Sequence, residues 1–208
     1  METLVIPALS SEAIPHALAV LKSGGLVAFP TDTVYGLGAL AFDAAAVKSI
    51  YTVKGRPEEK AIPVLIADPL DLEKVALEIS EIAAVLAAHF WPGSLTLVVP
   101  KHPSLPEVVS AVATIGVRIP DHTVARALLK AAGPMAVSSA NRSNLPNPST
   151  AQEVLIQLGG RIALILDGGR TPGGIPSTVV DCIGAEAKLL REGPILMTEI
   201  QKLLGGEL

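Results

Sequence analysis

The residues with the greatest chemical capacity in this chain are cations and hydroxyls gathered in short loops. Lys54-Gly55-Arg56-Pro57-Glu58-Glu59-Lys60 carries three cations just after a helix-like segment. Two readings are open: cations complementing a helix C-terminus, or a polyphosphate site in which arginine gives paired contacts. Pro30-Thr31-Asp32-Thr33-Val34-Tyr35-Gly36-Leu37-Gly38 directly follows an apolar segment, and strand-end loops of open sheets are where ligands bind. Thr31, Thr33 and Tyr35 offer hydroxyls there, and the glycines permit close backbone approach; equally, the threonines could satisfy a turn's own backbone. Ser138-Ser139-Ala140-Asn141 sets a hydroxyl and an amide two residues apart, suited to gripping one ligand or to capping a helix. Arg118 in Thr114-Ile115-Gly116-Val117-Arg118 and Arg191 in Leu190-Arg191-Glu192-Gly193 each end an apolar stretch, as snorkelling edge residues or as anchors for carboxylate or phosphate. Pro176-Ser177-Thr178 adds hydroxyls beside a glycine-rich loop.

Other chemistries are missing. There is no G-x-x-x-x-G-K-[ST] phosphate loop, and Gly36-Leu37-Gly38 is only a fragment of a G-x-G-x-x-G fingerprint. No G-x-S-x-G nucleophile elbow occurs. His16, His89, His102 and His122 show no metal-ligand spacing; only His122, in a proline-flanked turn, stays in view. Cys182 lies in the apolar run Thr178 to Ile183, where a buried small hydrophobe is expected rather than a catalytic thiol. No metal site is expected.

The elements that must position these loops alternate along the chain. Helices are expected over Glu12–Lys22 (capped by Ser10 or Ser11), Ala44–Val53 (capped by Asp43), most of Pro69–Phe90 with a break near Ser80, and Thr123–Ala132. Capping-box patterns at Thr150/Glu153 and Thr198/Gln201 open two more. Strands are expected at Leu26–Phe29, Pro63–Ile66, Leu95–Val99, Gly116–Ile119, Met135–Ser138 and Ile162–Leu166, with Thr178–Ile183 and Ala187–Leu190 paired across Gly184. This pattern predicts an α/β (α+β) fold, a mixed sheet with helices packed on it, in one domain spanning residues 1–208. Half of the 208 residues are hydrophobic, enough for a substantial core. A formal net charge of −4 and 3% aromatics argue against a broad basic or base-stacking surface for nucleic acid. No apolar run reaches the ~18–20 residues of a membrane span, and the start lacks a basic leader, so the cytoplasm is the expected compartment.

In their order along the chain, PTDTVYGLG, KGRP…K, FWPGSLTLV, GVRIPDH, SAN, PSTVVD and LREG resemble the YrdC-like family, over about Leu21 to Ile195. The resemblance implies a twisted mixed sheet flanked by helices around a concave, basic cavity. It implies synthesis of threonylcarbamoyl-AMP from L-threonine, bicarbonate or CO2, and ATP with Mg2+, releasing pyrophosphate. A downstream tRNA threonylcarbamoyl transferase would then modify adenosine 37, with at most weak tRNA contact by this chain. Carried over motif by motif, Lys54 and Arg56 resemble the family's K-x-R pair at the nucleotide phosphates, as catalytic residues. Thr33, Lys60, Arg118, Ser139 and Ser177, with the hydroxyls of Thr31 and Tyr35, resemble the threonine side. Lys54, Arg56, Thr114, Asn141, Ser149 and Arg191 resemble the ATP side. Arg142 to Pro148 departs from the family by lacking its Ser-Gly pair, which bears on Ser149. Longer members carry a further C-terminal domain, which this length is not expected to hold. Thr171 to Pro176 is a lid candidate on composition. Two competing readings are a non-catalytic RNA-binding or ribosome-assembly module and a carbamoyl-adenylate domain of hydrogenase maturation; scarce aromatics weigh against the first and the single cysteine against the second.

Overall fold

Alternation of side chains along ten short strands governs this architecture. The structure is a computed structural model and describes residues 2–206. In chain order the elements are β1 (Leu4–Pro7), α1 (Ala13–Lys22), β2 (Val27–Phe29), β3 (Gly36–Leu40), α2 (Ala44–Lys54), β4 (Val64–Leu65), then, after a single 3-10 turn, α3 (Leu72–Val75) and α4 (Glu81–Phe90). There follow β5 (Leu95–Pro100), β6 (Thr114–Arg118), α5 (Thr123–Ala132), β7 (Met135–Ser139), α6 (Ala151–Leu158), β8 (Leu164–Asp167), β9 (Thr178–Asp181), β10 (Lys188–Arg191) and α7 (Met197–Leu204). The strands form one sheet in the order β1-β8-β2-β3-β7-β4-β6-β5-β9-β10. It is mixed, as expected: β8 lies parallel to both β1 and β2, β4 to β6 and β5 to β9, while the other pairs are antiparallel.

Helices cover both faces, which is why central strands read as unbroken apolar runs. Alternate residues separate into two cores. Leu26, Ala28, Leu37, Val64, Leu97 and Val117 point to one core with α2, α4, α6 and α7. Val27, Phe29, Leu65, Met135 and Val137 point to the other, under α1 and α5, through Ala13, Ala17, Leu21, Ala125, Leu128 and Leu129. The second face is roofed over only part of the sheet.

Local signals explain most element ends. Asp43 caps α2 by accepting from Ala46 N at 3.0 Å; Ser80 caps α4 by accepting from Ala83 N at 3.2 Å. Thr150 caps α6 through Glu153 N, but the Glu153 carboxylate reaches Ser149 N, one residue earlier than a capping box places it. Three expectations are corrected. Ahead of α1 the N-cap is Glu12, with Ser10 Oγ accepting from its amide. Thr198 lies inside α7, whose first turn is held by Glu199 accepting from Leu196 N, because the chain enters the helix two residues earlier than the Thr198/Gln201 pattern suggests. Gly36–Leu40 is a strand rather than a loop, and Leu4–Pro7 is an unforeseen edge strand.

Candidate active site

The unroofed part of the α1/α5 face is a cavity of about 260 Å³. Its floor consists of every second residue of adjacent strands: Gly36 of β3, Val137 and Ser139 of β7, Leu65 of β4, Arg118 of β6 and Thr96 of β5. Residues i and i+2 of a strand share a face, so the partners of these side chains feed the opposite core. Loops complete the walls with Thr31, Thr33, Arg56, Ser177 and Arg191.

Among the cations that line the cavity Arg118 is the most deeply placed, 5% exposed. Its Nε donates to Gly93 O at 2.9 Å, Nη1 to Thr33 Oγ1 at 3.0 Å, and Nη2 to Asp32. The same Asp32 oxygen accepts from Asp121 N at 3.1 Å. Arg118 thereby rivets the Thr33 loop to the sheet. Burial draws its pKa down, against the opposing pull of Asp32. Arg191 reaches in from the last strand, where a register shift between Leu189 and Arg191 redirects the side chain. Its Nε and Nη2 donate to Ser177 O at 3.0 and 2.7 Å, and Nη2 also to Ser177 Oγ at 3.1 Å. Burial, and then the charges of Arg118 and Arg56, lower the Arg191 pKa. Arg56 hangs from the α2–β4 loop with Nε on Lys60 O and Nη2 on Ala61 O; burial lowers its pKa too. Three guanidiniums from three distant segments therefore converge, and Asp32, which does not itself line the cavity, is already engaged by Arg118. Such a site favours a polyanion electrostatically.

Hydroxyls are interleaved with these cations. Thr33 Oγ1 accepts from Arg118, and Thr31 Oγ1 lies 3.0 Å from it. Thr31 also donates to Val34 O and accepts from the amides of Thr33 and Val34, so it satisfies its own turn while lining the cavity. Ser177 Oγ lies 2.8 Å from Thr96 Oγ1. Sequence reasoning passed over Thr96 and Asn147, and quoted Ser138 in its cluster without giving it a role. A usable signal existed for Thr96: it is the lone polar residue of the apolar run Leu95–Val99, and it is buried.

Several expected site residues lie elsewhere. Tyr35 faces the core on the opposite side from Thr33's cavity wall; its hydroxyl donates to Gly169 O at 2.7 Å and accepts from Gly168 N, and burial pushes its pKa up to about 12. Lys54 and Asn141 are buried against each other beneath the cavity wall and do not line it. Lys60 is exposed, offering its carbonyl rather than its ammonium to Arg56. Thr114 shares a face with Arg118, but four residues along a strand is ~13 Å, beyond the cavity. Ser149 lies outside the lining and holds the 168–176 loop by accepting from Thr171 N at 2.8 Å. That loop, the lid candidate, is packed down on the Thr33 segment: Gly174 N donates to Thr33 O at 2.7 Å. A Cβ at Gly173 would come within 2.8 Å of Asp32 O, so only glycine permits this approach. His122 is also outside the lining, at the N-terminus of α5, with Nδ1 buried and unpartnered; burial lowers its pKa.

A mixed sheet with an arginine-lined, hydroxyl-rich cavity on its half-covered face defines the class. A family profile described as telomere recombination, named for Sua5, YciO and YrdC, matches residues 19–193, and the chain belongs to that family. It is 45% identical over 195 residues to a threonylcarbamoyl-AMP synthase of Bacillus subtilis (strain 168), covering 92% of this chain and 56% of that protein. A threonylcarbamoyl-AMP synthase of Pyrococcus abyssi (strain GE5 / Orsay) is 44% identical over 191 residues, 91% of this chain and 56% of its own length. The chain thus spans about half the length of these curated relatives. The crystal structure of P. abyssi Sua5 complexed with L-threonine superimposes with a TM-score of 0.95 at 42% identity, covering 98% of this chain and 61% of that one.

Proposed function

We propose that this chain makes threonylcarbamoyl-AMP from L-threonine, bicarbonate or CO2, and ATP, for later transfer to adenosine 37 of tRNA by a separate transferase. The carrying observation is the convergence of Arg56, Arg118 and Arg191 among the hydroxyls of Thr33, Thr96, Ser139 and Ser177. In this reading threonine's amine adds to CO2, forming a C–N bond and releasing a proton to solvent. A carbamate oxygen then attacks the α-phosphorus of ATP, and the bond to the β-phosphate oxygen breaks to release pyrophosphate. Arg56 and Arg191 neutralise charge on the triphosphate, and Arg118 with the hydroxyls orients the amino acid. Positioning of two bound reactants is worth up to ~7–11 kcal/mol in oriented intramolecular systems, and single preorganised donors ~3–4 kcal/mol. Such a reaction requires no protein nucleophile. Mg2+ enters with ATP as part of the substrate, since Asp32, the carboxylate behind the cavity wall, is held by Arg118 and Asp121 N.

The test is pyrophosphate release by purified protein. It should require threonine and bicarbonate together, with serine a poorer substrate by a factor within the ~10–200-fold that one methyl allows. Equal release without threonine would make the chain a plain ATP pyrophosphatase, which cleaves ATP to AMP and pyrophosphate. No release, from folded protein that binds tRNA with a steep salt dependence, would favour an RNA-binding module.

A further inference from the structure

The family resemblance sets Lys54 with Arg56 at the nucleotide phosphates, and Ser139 and Asn141, two residues apart, on the threonine and ATP sides of one cavity. In the structure each pair is split: Arg56 and Ser139 line the cavity, whereas Lys54 and Asn141 do not. Lys54 is 3% exposed and Asn141 6%. The Lys54 ammonium donates to the carbonyls of Ser139 and Asn141 and lies 3.4 Å from Asn141 Oδ1. An ammonium has three donors, and all three are directed at this turn. The Asn141 amide is equally occupied, Nδ2 donating to Arg142 O at 3.0 Å and to Leu145 O at 2.7 Å. Main chain reinforces the contact, as Ser143 N donates to Lys54 O at 2.8 Å.

We infer that Lys54 is a positioning residue that clamps the Ser139–Ser143 turn to the end of α2, and that Asn141 is the other jaw of the clamp. From Lys54, Gly55 turns the chain in the left-handed region, at φ 60°, and delivers Arg56 to the cavity. From the other jaw, Ser139 stands two residues back on β7. The clamp therefore fixes the spacing of Arg56 and Ser139, which come from segments more than 80 residues apart. A buried cation facing carbonyl dipoles rather than a carboxylate is costly to keep charged; burial, then the Arg56 charge, pushes the Lys54 pKa down to about 7. A residue that only complemented a helix end would sit in solvent without that cost.

The inference rests on the synthase reading for its activity assay alone. Lys54→Met, Lys54→Arg, Asn141→Leu and the Lys54→Met/Asn141→Leu double variant are assayed for pyrophosphate release and for binding of a non-hydrolysable ATP analogue. A clamp predicts that kcat falls at least ~100-fold in each single variant while analogue Kd stays within threefold, since mispositioning by about 1 Å costs that much in rate. Lys54→Arg should fail like Lys54→Met, because a planar guanidinium cannot take the place of an ammonium in this enclosed site. The double variant should be no worse than the worse single one, as for residues acting as a unit. A Lys54→Arg variant within tenfold of wild type, a 30-fold weaker analogue Kd in Lys54→Met, or multiplying defects in the double variant would overturn the clamp in favour of direct phosphate contact. Should the variants not fold, acetylation of the wild-type protein decides the matter. A clamped Lys54 is protected equally with and without the analogue, whereas a phosphate-binding Lys54 is labelled until the analogue shields it. These binding and labelling measurements stand even if wild-type protein releases no pyrophosphate, an outcome that defeats the synthase reading and leaves the clamp to be judged separately.

Discussion

Replacing Asp32 with asparagine should weaken the fold slightly and strengthen anion binding, two effects of opposite sign from one atom. Asp32 Oδ1 accepts from Arg118 Nη2 and Asp121 N, and asparagine keeps an oxygen in that place. The lost charge assistance should cost about 1–2 kcal/mol. Arg118→Met instead leaves the Asp32 carboxylate, 13% exposed, without its counter-charge; removing one partner of such a pair costs ~3–5 kcal/mol. The cavity feels the reverse. Asp32→Asn releases one unit of positive charge from local compensation, worth ~2 kcal/mol to a ligand charge at roughly 8 Å with an effective dielectric near 20. Screening by water in the cavity reduces this to ~1 kcal/mol, or about fivefold in Kd. Urea denaturation gives the first quantity and calorimetric titration with pyrophosphate the second. Unchanged or weaker pyrophosphate binding in Asp32→Asn, or an Arg118→Met variant no less stable than Asp32→Asn, would refute the view that Asp32 restrains the cavity's charge.

Lys54 should mark the pH dependence of stability. Its pKa is about 7 in the fold against 10.5 when unperturbed, so between those values the unfolded chain binds more protons and stability rises with pH; below pH 7 both states carry the charge and the full penalty persists. The wild-type urea midpoint, corrected by that of Lys54→Met, should therefore climb from pH 7 to 10, and a flat difference would contradict it. Thr96→Val should raise the KM for threonine about fivefold by removing the partner of Ser177 Oγ, a bond worth ~1 kcal/mol, while Thr96→Ser restores it. No covalent intermediate should form: the Cys182 thiol is buried and pushed up to about 12, and intact-mass spectrometry after incubation with ATP, threonine and bicarbonate should show the unmodified chain.

What the sequence revealed depended on how local its signals were. Thr123–Ala132 was read to the residue because a polar entry and Gly133 bound a periodic segment. Asp43 and Ser80 marked two helix starts through side chains that cap their own backbone. Gly36–Leu40 was hidden because two glycines suppress strand propensity, although neighbours on both sides pair with it. The arginines at the ends of apolar strands were legible as candidate anchors, since charge at the end of a buried stretch requires a partner. Lys54 and Asn141 were misplaced for a different reason: spacing says which residues are near one another but not which of two ends a side chain enters. Tyr35 shows the same limit, being two residues from Thr33 yet turned to a core that only the β3–β7 pairing defines.

The β9–β10 hairpin joins the sheet by laying β9 parallel to β5, with Leu95 opposite Thr178. Ser177 and Arg191 thus reach the cavity only after a closure spanning more than 80 residues, and such non-local pairings form slowly. On a chain made from its N-terminus, this hairpin emerges after the strands that bear Thr33, Arg56 and Arg118. Its arrival brings a third guanidinium toward two others, so docking works against repulsion until an anion is present. Nucleotide, the substrate proposed above, should accordingly also act as a folding partner, holding the hairpin closed in proportion to its concentration over Kd. Protease cleavage between β8 and β9 should then fall as ATP is added, in a chain whose remaining strands resist digestion throughout.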